Sequence, residues 1–343
     1  MAEAAVLDFE TLPRIREEAV ASGAALDARL RGAVAPFVVR GLAADWPLVK
    51  AGRVSGGEAR ANLLSQSRDR PITYSLGQAG AGERLFYDDA MAMNFRTLRG
   101  SLPEIFGAID ANEGLADAPA IYLSSIDMHD YFTGLHEANN VELGERRPLA
   151  SIWIGTATRI AAHNDVPDNL VVCAVGRRRF TLFPPDQFAS LYLGPIDHTP
   201  AGRAVSMVDL KRPDFTAFPR FRDALSSAQV AELGPGDALF IPSLWWHHVE
   251  ALDPFNVLVN YWWRDTQAFL GQPQDALNHA MLAIRDLPPT QKDYWRQMFD
   301  HYVFDNGDDV TAHIPEPARG VLAPLTAESA GKLRVNILRG LSR

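Results

Sequence analysis

The chain has 343 residues, 47% of them hydrophobic and 22% charged, the make-up of an ordinary globular protein with one large domain or two modest ones. Its net charge of −9 argues against nonspecific nucleic-acid binding, and the lack of any run of about 18 apolar residues argues against a membrane span. A single cysteine, Cys173, excludes an intramolecular disulfide and fits a reducing, cytoplasmic compartment, as does a start (Met1 to Glu10) that has acidic residues and no basic stretch of a signal peptide.

Taken in chain order, residues 9–31 read as a helix with its charges on one exposed face. Pro36 to Gly41 reads as a strand ending at a glycine, and Trp46-Pro47 starts a helix or turn. Residues 71–87 alternate enough for a hairpin through the glycine-rich stretch Gly77 to Gly82, and Phe95 to Ile109 reads as a helix. Ile121-Tyr122-Leu123 is a short strand. From 151 to 263 short strands punctuated by Gly and Pro dominate, the pattern of a barrel or sandwich. Beyond Arg264 the period becomes helical: Phe269 to Leu287, Thr290 to Val303 after the Pro288-Pro289 break, and Leu325 to Leu341 with an apolar stripe that includes Leu333, Ile337 and Leu341.

The chemistry-bearing pattern is His163-Asn164-Asp165 followed far downstream by His247. Two imidazoles and one carboxylate on one face of a metal leave the opposite positions open, the facial triad of non-haem Fe(II) oxygenases. The bare pattern is common: nine His and 42 acidic residues give about one His-x-Asp/Glu by chance, and His248-Val249-Glu250 is a second example. Context separates them. His163-Asn164-Asp165 forms a short polar corner between two apolar strands, Ile152 to Ile154 and Leu170 to Val175, whereas His248 points to the face opposite His247, because consecutive strand residues alternate. Trp245 and Trp246 are placed to wall the site against water, with core packing of one or both as the alternative. Asn260 lies in the apolar run Val257 to Trp263, where an amide needs a partner, either a bound co-substrate or a structural hydrogen bond. In Arg177-Arg178-Arg179, after the turn at Gly176, alternation puts Arg178 with Phe180 and Leu182, so Arg178 is the cation that wants a buried carboxylate; a solvated hairpin end is the alternative.

The segments His163 to Pro185, Gly234 to Glu250 and Val259 to Trp262, with Pro36 to Pro47 at the start, resemble the cupin-like JmjC-type 2-oxoglutarate oxygenases over roughly residues 34–265. In pattern they are most similar to the branch that hydroxylates an asparagine of hypoxia-inducible factor. The resemblance implies a mainly β double-stranded β-helix (cupin or jelly-roll) core with flanking N-terminal helices. It implies Fe(II) held at His163, Asp165 and His247. Arg178 stands where that branch has a lysine on the C5 carboxylate of 2-oxoglutarate, and Tyr122, Asn169 and Asn260 match other residues of the co-substrate pocket. Ile160 replaces a threonine there, a departure from the pattern. The resemblance also implies a catalytic domain over 1–267 and a C-terminal helical appendage, 268–343, that forms a homodimer. The expected reaction is hydroxylation coupled to release of succinate and CO₂. The prime substrate, a protein side chain, a peptide, a modified nucleoside or a small metabolite, is not specified by one sequence, and the resemblance also allows demethylation. A cupin that binds without turnover, or a metal cupin independent of 2-oxoglutarate, is the alternative.

Overall fold

The computed structural model describes residues 6–342 apart from Ala79, Ala81 and Ala116. It divides into two compact units, one ending at Arg264 and one beginning at Asp265. Among the described residues no helix is long and apolar enough to cross a membrane.

Among its described residues the first unit has twelve strands: β1 Phe37–Val39, β2 Ile72–Gly77, β3 Phe95–Gly100, β4 Ile121–Asp127, β5 Leu149–Gly155, β6 Thr158–Asn164, β7 Asp168–Val175, β8 Arg178–Phe183, β9 Gln229–Leu233, β10 Ala238–Ile241, β11 Trp246–Ala251 and β12 Asn256–Trp263. They form a large sheet in the order β1-β10-β7-β12-β5-β4-β2-β3 and a small one, β6-β11-β8-β9, with every strand pair antiparallel. This is the mainly β jelly-roll arrangement that the family resemblance implies, and one form of the barrel or sandwich that the strand pattern predicts.

The sequence explains the roles. β7 is a continuous apolar run because it is central, with β10 on one side and β12 on the other, and it is buried from Asn169 to Val175. β11 sends His247 and Val249 into a cavity between strands and turns Trp246 and His248 the other way. One apolar core lies behind the large sheet, where Ile152, Ile154 and Val259 meet the helices Pro47–Val54, Gly56–Gln66 and Leu102–Asn112. A second lies around Val171, Phe180, Leu182 and Leu258.

Three elements differ from the sequence reading. Residues 9–31 are not one helix; the helical part is Gly23–Leu30 after a short turn at Phe9–Thr11. The intervening segment is extended. Ile15 N–H donates to the Val230 carbonyl at 2.9 Å and Val38 N–H to the Arg16 carbonyl at 2.9 Å, so residues 14–17 lie along the edges of both sheets, bridging β9 and β1. Edge pairing outweighs the weak helical preference of a stretch that follows Pro13. The partner of β2 is not residues 83–87 but β3, with Ser75 opposite Thr97; Ala79 and Ala81 of the proposed hairpin turn lie outside the described residues. The helix therefore starts at Leu102 rather than Phe95. Its start is marked by a capping box: Ser101 Oγ accepts from Glu104 N–H, and the Glu104 carboxylate accepts from Ser101 N–H. Finally, the polar corner between Ile154 and Leu170 contains a full strand, β6, which carries His163.

The second unit consists of helices Pro273–Ala283, Pro289–Phe299 and Ala327–Leu341 with short turns between them. Among its described residues only Val310 and Ala330 are buried apolar side chains.

Gly155 lets β4 and β5 meet beside Tyr122. A Cβ there would lie 2.4 Å from the Ile121 carbonyl oxygen and 3.3 Å from the Tyr122 Cα. Gly155→Ala is expected to lower stability by about 1–3 kcal/mol, read as a lower urea midpoint, because the clash is with backbone that no side-chain rotamer relieves.

Candidate metal centre

His163 and His247 face each other across β6 and β11 as directly paired residues. Their rings lie 4.4 Å apart at 57°. Asp165 follows β6 immediately, and its Oδ2 is 3.7 Å from His247 Nε2. One ligand atom from each of the three residues lies within 4.8 Å of the others. This distance suits donors that a single ion would draw together.

The local structure fixes which nitrogen is offered. His163 Nδ1 is 2.9 Å from the Ala161 carbonyl, and His247 Nδ1 is 3.1 Å from the Trp245 carbonyl. A carbonyl only accepts, so both Nδ1 atoms carry the proton and both Nε2 lone pairs are free for a ligand bond. The carbonyl of Ala161 belongs to an irregular stretch: between His247 and Val249 on β11 the partner strand advances from His163 to Ile160, an extra residue on β6. Burial and the neighbouring His163 push His247 well below the ordinary imidazole value, to about 4, which keeps it in the neutral, metal-binding form.

The two ligand-bearing segments are stitched together. Leu244 N–H donates to the Asp165 carbonyl at 2.8 Å, Ser243 N–H to the Asp168 carboxylate at 2.9 Å, and Ser243 Oγ to the Val166 carbonyl at 2.6 Å. Leu244 adopts φ +67 to close this corner, a left-handed conformation that costs a non-glycine residue about 1 kcal/mol or more. The corner thus ties Asp165 to the chain that leads into His247.

The triad opens into a cavity of about 350 Å³ that also takes in Arg178, Tyr122, Asn169 and Asn260, so all seven residues singled out from the sequence line one space. Arg178 is 3% exposed and forms no ion pair with a carboxylate among the described residues; Tyr122 is its hydrogen-bonding neighbour, and its Nε has no partner. Burial pushes the Tyr122 phenol up to about 12, opposed by the Arg178 charge, so the phenol stays protonated. Trp153 Nε1 donates to Asn260 Oδ1 at 2.7 Å, and Asn260 Nδ2 donates to Asn169 Oδ1 at 3.2 Å. The buried asparagine is therefore satisfied within the wall and orients its neighbour. Ile160 lines the same cavity.

The structure corrects one expectation. Trp245 and Trp246 do not wall this space. Trp245 Nε1 donates to the Val34 carbonyl and Trp246 Nε1 to the Pro185 carbonyl, both at 3.2 Å, and each ring packs in a separate apolar cluster. Trp246 has the outward parity of His248. The indoles of the cavity are Trp153 and Trp262, and Ser75, Ser124 and Ser125 line it too; the sequence pattern assigns none of the five to the site, and its short strand stops at Leu123. The two serines do stand close behind Tyr122 on the same strand, a signal that was available. Nothing in the sequence announces the rim segment Pro200 to Gly202.

His248 lies outside the cavity. It is 2% exposed, and neither ring nitrogen has a partner. Burial, then Arg159 and Arg84, push it down to about 3. His198 is exposed and bonds the Met91 carbonyl, apart from the triad.

The chain matches the cupin-like domain family over residues 24–269. It is 33% identical over 141 residues to human HSPB1-associated protein 1, covering 40% of this chain and 28% of that protein. It is 36% identical over 123 residues to lysine-specific demethylase JMJ31 of Arabidopsis thaliana (35% of this chain, 22% of the relative) and 35% identical over 123 residues to lysine-specific demethylase 8 of Xenopus tropicalis (36% and 26%). The chain thus spans about a quarter of the length of these relatives.

His247 and His248 both have values depressed by folding, so the unfolded chain takes up protons that the folded one refuses. Stability of the metal-free protein is then full above about pH 6.5 and falls as the pH drops toward 4. His248→Leu is expected to flatten this acid limb by about 1.4 kcal/mol per pH unit between pH 6 and 4, measured by urea unfolding, while Mn(II) binding is kept. His247→Ala should abolish Mn(II) binding. Loss of the metal in His248→Leu instead would reassign the ligand.

Proposed function

We propose that this chain, which belongs to the cupin-like domain family, is an Fe(II)- and 2-oxoglutarate-dependent oxygenase that hydroxylates a protein side chain. The observation that carries the reading is Arg178: a buried guanidinium with no carboxylate partner among the described residues, in the same cavity as a three-ligand metal centre. A buried cation left unpaired costs several kcal/mol, so the site is built for an anion that arrives.

The spacing fits a dicarboxylate. On β8, Leu182 stands opposite His247 and Arg178 opposite Ala251. Four residues at about 3.3 Å separate them along the strand, roughly 13 Å. An arginine side chain and a five-carbon diacid that chelates the metal at its other end together cover that span. Arg178 would hold the distal carboxylate in a charge-assisted pair, with the protonated Tyr122 phenol as a second donor. Asn169 and Asn260, locked by Trp153, would fix the orientation of the bound diacid.

His163, Asp165 and His247 suit a divalent iron. Two neutral imidazoles and one carboxylate leave open positions, and the Nδ1 bonds to Ala161 and Trp245 hold both rings in place. When bound, the iron supplies O₂ activation at the expense of 2-oxoglutarate. The balance is R–H plus 2-oxoglutarate plus O₂ giving R–OH, succinate and CO₂. One oxygen atom goes to the product and the other to succinate. The chain's own contribution is to orient the two substrates and to exclude bulk water with Trp153, Trp262, Ile160 and Val249. A protein substrate is in keeping with relatives named as demethylases of lysine or as associated with another protein. The test is succinate formation from 2-oxoglutarate with Fe(II) and O₂, lost in His163→Ala and Asp165→Ala.

Arg178→Ala is expected to weaken 2-oxoglutarate binding by about 2–5 kcal/mol, the scale for a broken buried charge pair. Arg177→Ala should change it little, because Arg177 is exposed and paired with Asp253 at 2.9 Å. Equal effects of the two substitutions on the KM for 2-oxoglutarate would remove the assignment.

Homodimerisation through the C-terminal helices belongs to the same reading. In that unit Phe304 is 70% exposed, Leu338 62% and Leu341 52%, apolar side chains that an interface would cover. Closed two-fold dimers are the commonest way to cover such a face. Truncation after Pro317, or Leu333→Arg with Ile337→Glu, is expected to convert a dimer into a monomer in analytical ultracentrifugation, and a wild-type monomer at micromolar concentration would overturn it.

A further inference from the structure

β4 runs into two short helices that contribute nothing to the triad or its cavity. Asp127 closes the strand and caps the first helix, Met128–Tyr131: its carboxylate accepts from the His129 and Asp130 N–H groups, each at 2.8 Å. The second helix is Leu135–Ala138. Each carries one histidine, His129 and His136, seven positions apart in the chain. Had the first helix continued, that spacing would separate them by about 10.5 Å along its axis. Instead the chain leaves the helix at Phe132 and turns at Gly134, whose φ of +77 suits glycine, and the two helices fold against each other. The imidazole centroids are brought to 4.4 Å, with the rings inclined at 55°. This is almost the geometry of the triad's own pair, His163 and His247, at 4.4 Å and 57°.

The surroundings suit a cation. Both rings line a cavity of about 630 Å³, together with the exposed carboxylate of Glu142, and this cavity shares no lining residue with that of the triad. The arginine on its wall, Arg146, is paired with Asp27 and lies over the Trp263 ring. Among the described residues neither histidine ring makes a hydrogen bond, whereas His163 and His247 each engage one nitrogen with a carbonyl. Either nitrogen of His129 and of His136 can therefore present its lone pair. Burial, then the neighbouring His129, hold His136 below the ordinary imidazole value, against the opposing charges of Glu137 and Asp127. Held side by side, the rings gain only a ring contact from each other. A divalent ion between them uses both lone pairs. Imidazole suits zinc and copper, whereas magnesium and calcium prefer oxygen donors. Among the described residues no third His, Cys, Asp or Glu joins the pair in a three-donor group, so the other positions on the ion fall to water.

We infer that His129 and His136 form a second metal site, distinct from the triad, that takes Zn(II) through one nitrogen of each ring and so pins the two short helices together. This site stands whether or not the triad drives an oxygenase.

The experiment is equilibrium dialysis of the full chain against micromolar Zn(II), followed by metal analysis. Wild type is expected to hold two Zn(II) per chain, and the variant His163→Ala with His247→Ala, which lacks both triad imidazoles, one. Adding His129→Asn or His136→Gln to that variant should weaken the remaining site at least roughly tenfold, since losing a ligand costs no less than losing a group that orients one. His129 is exposed, so His129→Asn should leave the metal-free unfolding midpoint unchanged. Zn(II) should raise the midpoint of the triad variant only while both histidines are present. A second measurement needs no change at either residue. Cu(II) added to the triad variant should give an electron paramagnetic resonance spectrum with hyperfine coupling to two imidazole nitrogens. A triad variant that binds no Zn(II) overturns the inference. So does an affinity that changes less than twofold in His129→Asn, or a Cu(II) spectrum with fewer than two nitrogens.

Discussion

Everything at the centre of this molecule depends on one cross-strand pair, His163 opposite His247. A pair on adjacent antiparallel strands is held at a separation set by the sheet, not by the side chains. Each ring is then locked by a bond from its own Nδ1 to a carbonyl two residues back. The third donor, Asp165, sits outside the ladder, and its position is secured by the corner Ser243-Leu244 reaching back to Asp165, Val166 and Asp168. The donor set is therefore built on backbone geometry at all three points, which is what a site that must bind metal without rearrangement requires.

Irregularity in the ladders does as much as regularity. The extra residue on β6 lies just before His163, and the extra residue on β4 supplies two serines where strict alternation would give one. The residues that flank the β6 bulge, Ile160 and His163, line the same cavity as the two serines of β4, while Ala161 and Ala162 pack in apolar clusters outside it. The large sheet contributes Tyr122, Trp153, Asn169 and Asn260 and the small sheet His163, Arg178 and His247, so the ligand space is the gap between two rigid walls. Placing functional side chains on strands rather than on mobile loops keeps them ordered in the empty protein.

The triad and Arg178 were legible in the sequence because strand parity is a strict rule. His247 and His248 point opposite ways, and Arg178 shares its face with Phe180 and Leu182, so alternation together with the family resemblance points to His247 as the ligand and Arg178 as the buried cation. What alternation could not see was its own breaks. Nothing in Ser124-Ser125 or Ala161-Ala162 signals a bulge, and the tryptophans were misassigned for a related reason: Trp245 lies before β11 and Trp246 points outward, so adjacency to His247 did not mean adjacency to the metal site. The helix expected from Phe95 was a strand followed by a capped helix. There the signal in Ser101 to Glu104 was present and was overridden by an apolar period. The N-terminal stretch failed differently, since only the tertiary edge-pairing with Val38 and Val230 makes residues 14–17 extended.

The burial gradient of the cavity imposes an order on its occupants. Arg178, almost fully buried, carries an unpaired Nε beneath the metal centre's wall, whereas Ser124 and Ser125 are open to solvent. Under the proposed function, an anion seeking Arg178 would pass the mouth before anything occupies it, so the diacid would enter first and the prime substrate second. The energetics run the same way. Pairing Arg178 removes a buried uncompensated charge, so binding of the diacid stabilises the fold as well as filling the site. It also neutralises the one positive side chain of the Lys or Arg type in the space that the second substrate enters. Hydroxyls, amides and indoles make up the rest of the cavity lining beside the candidate metal ligands.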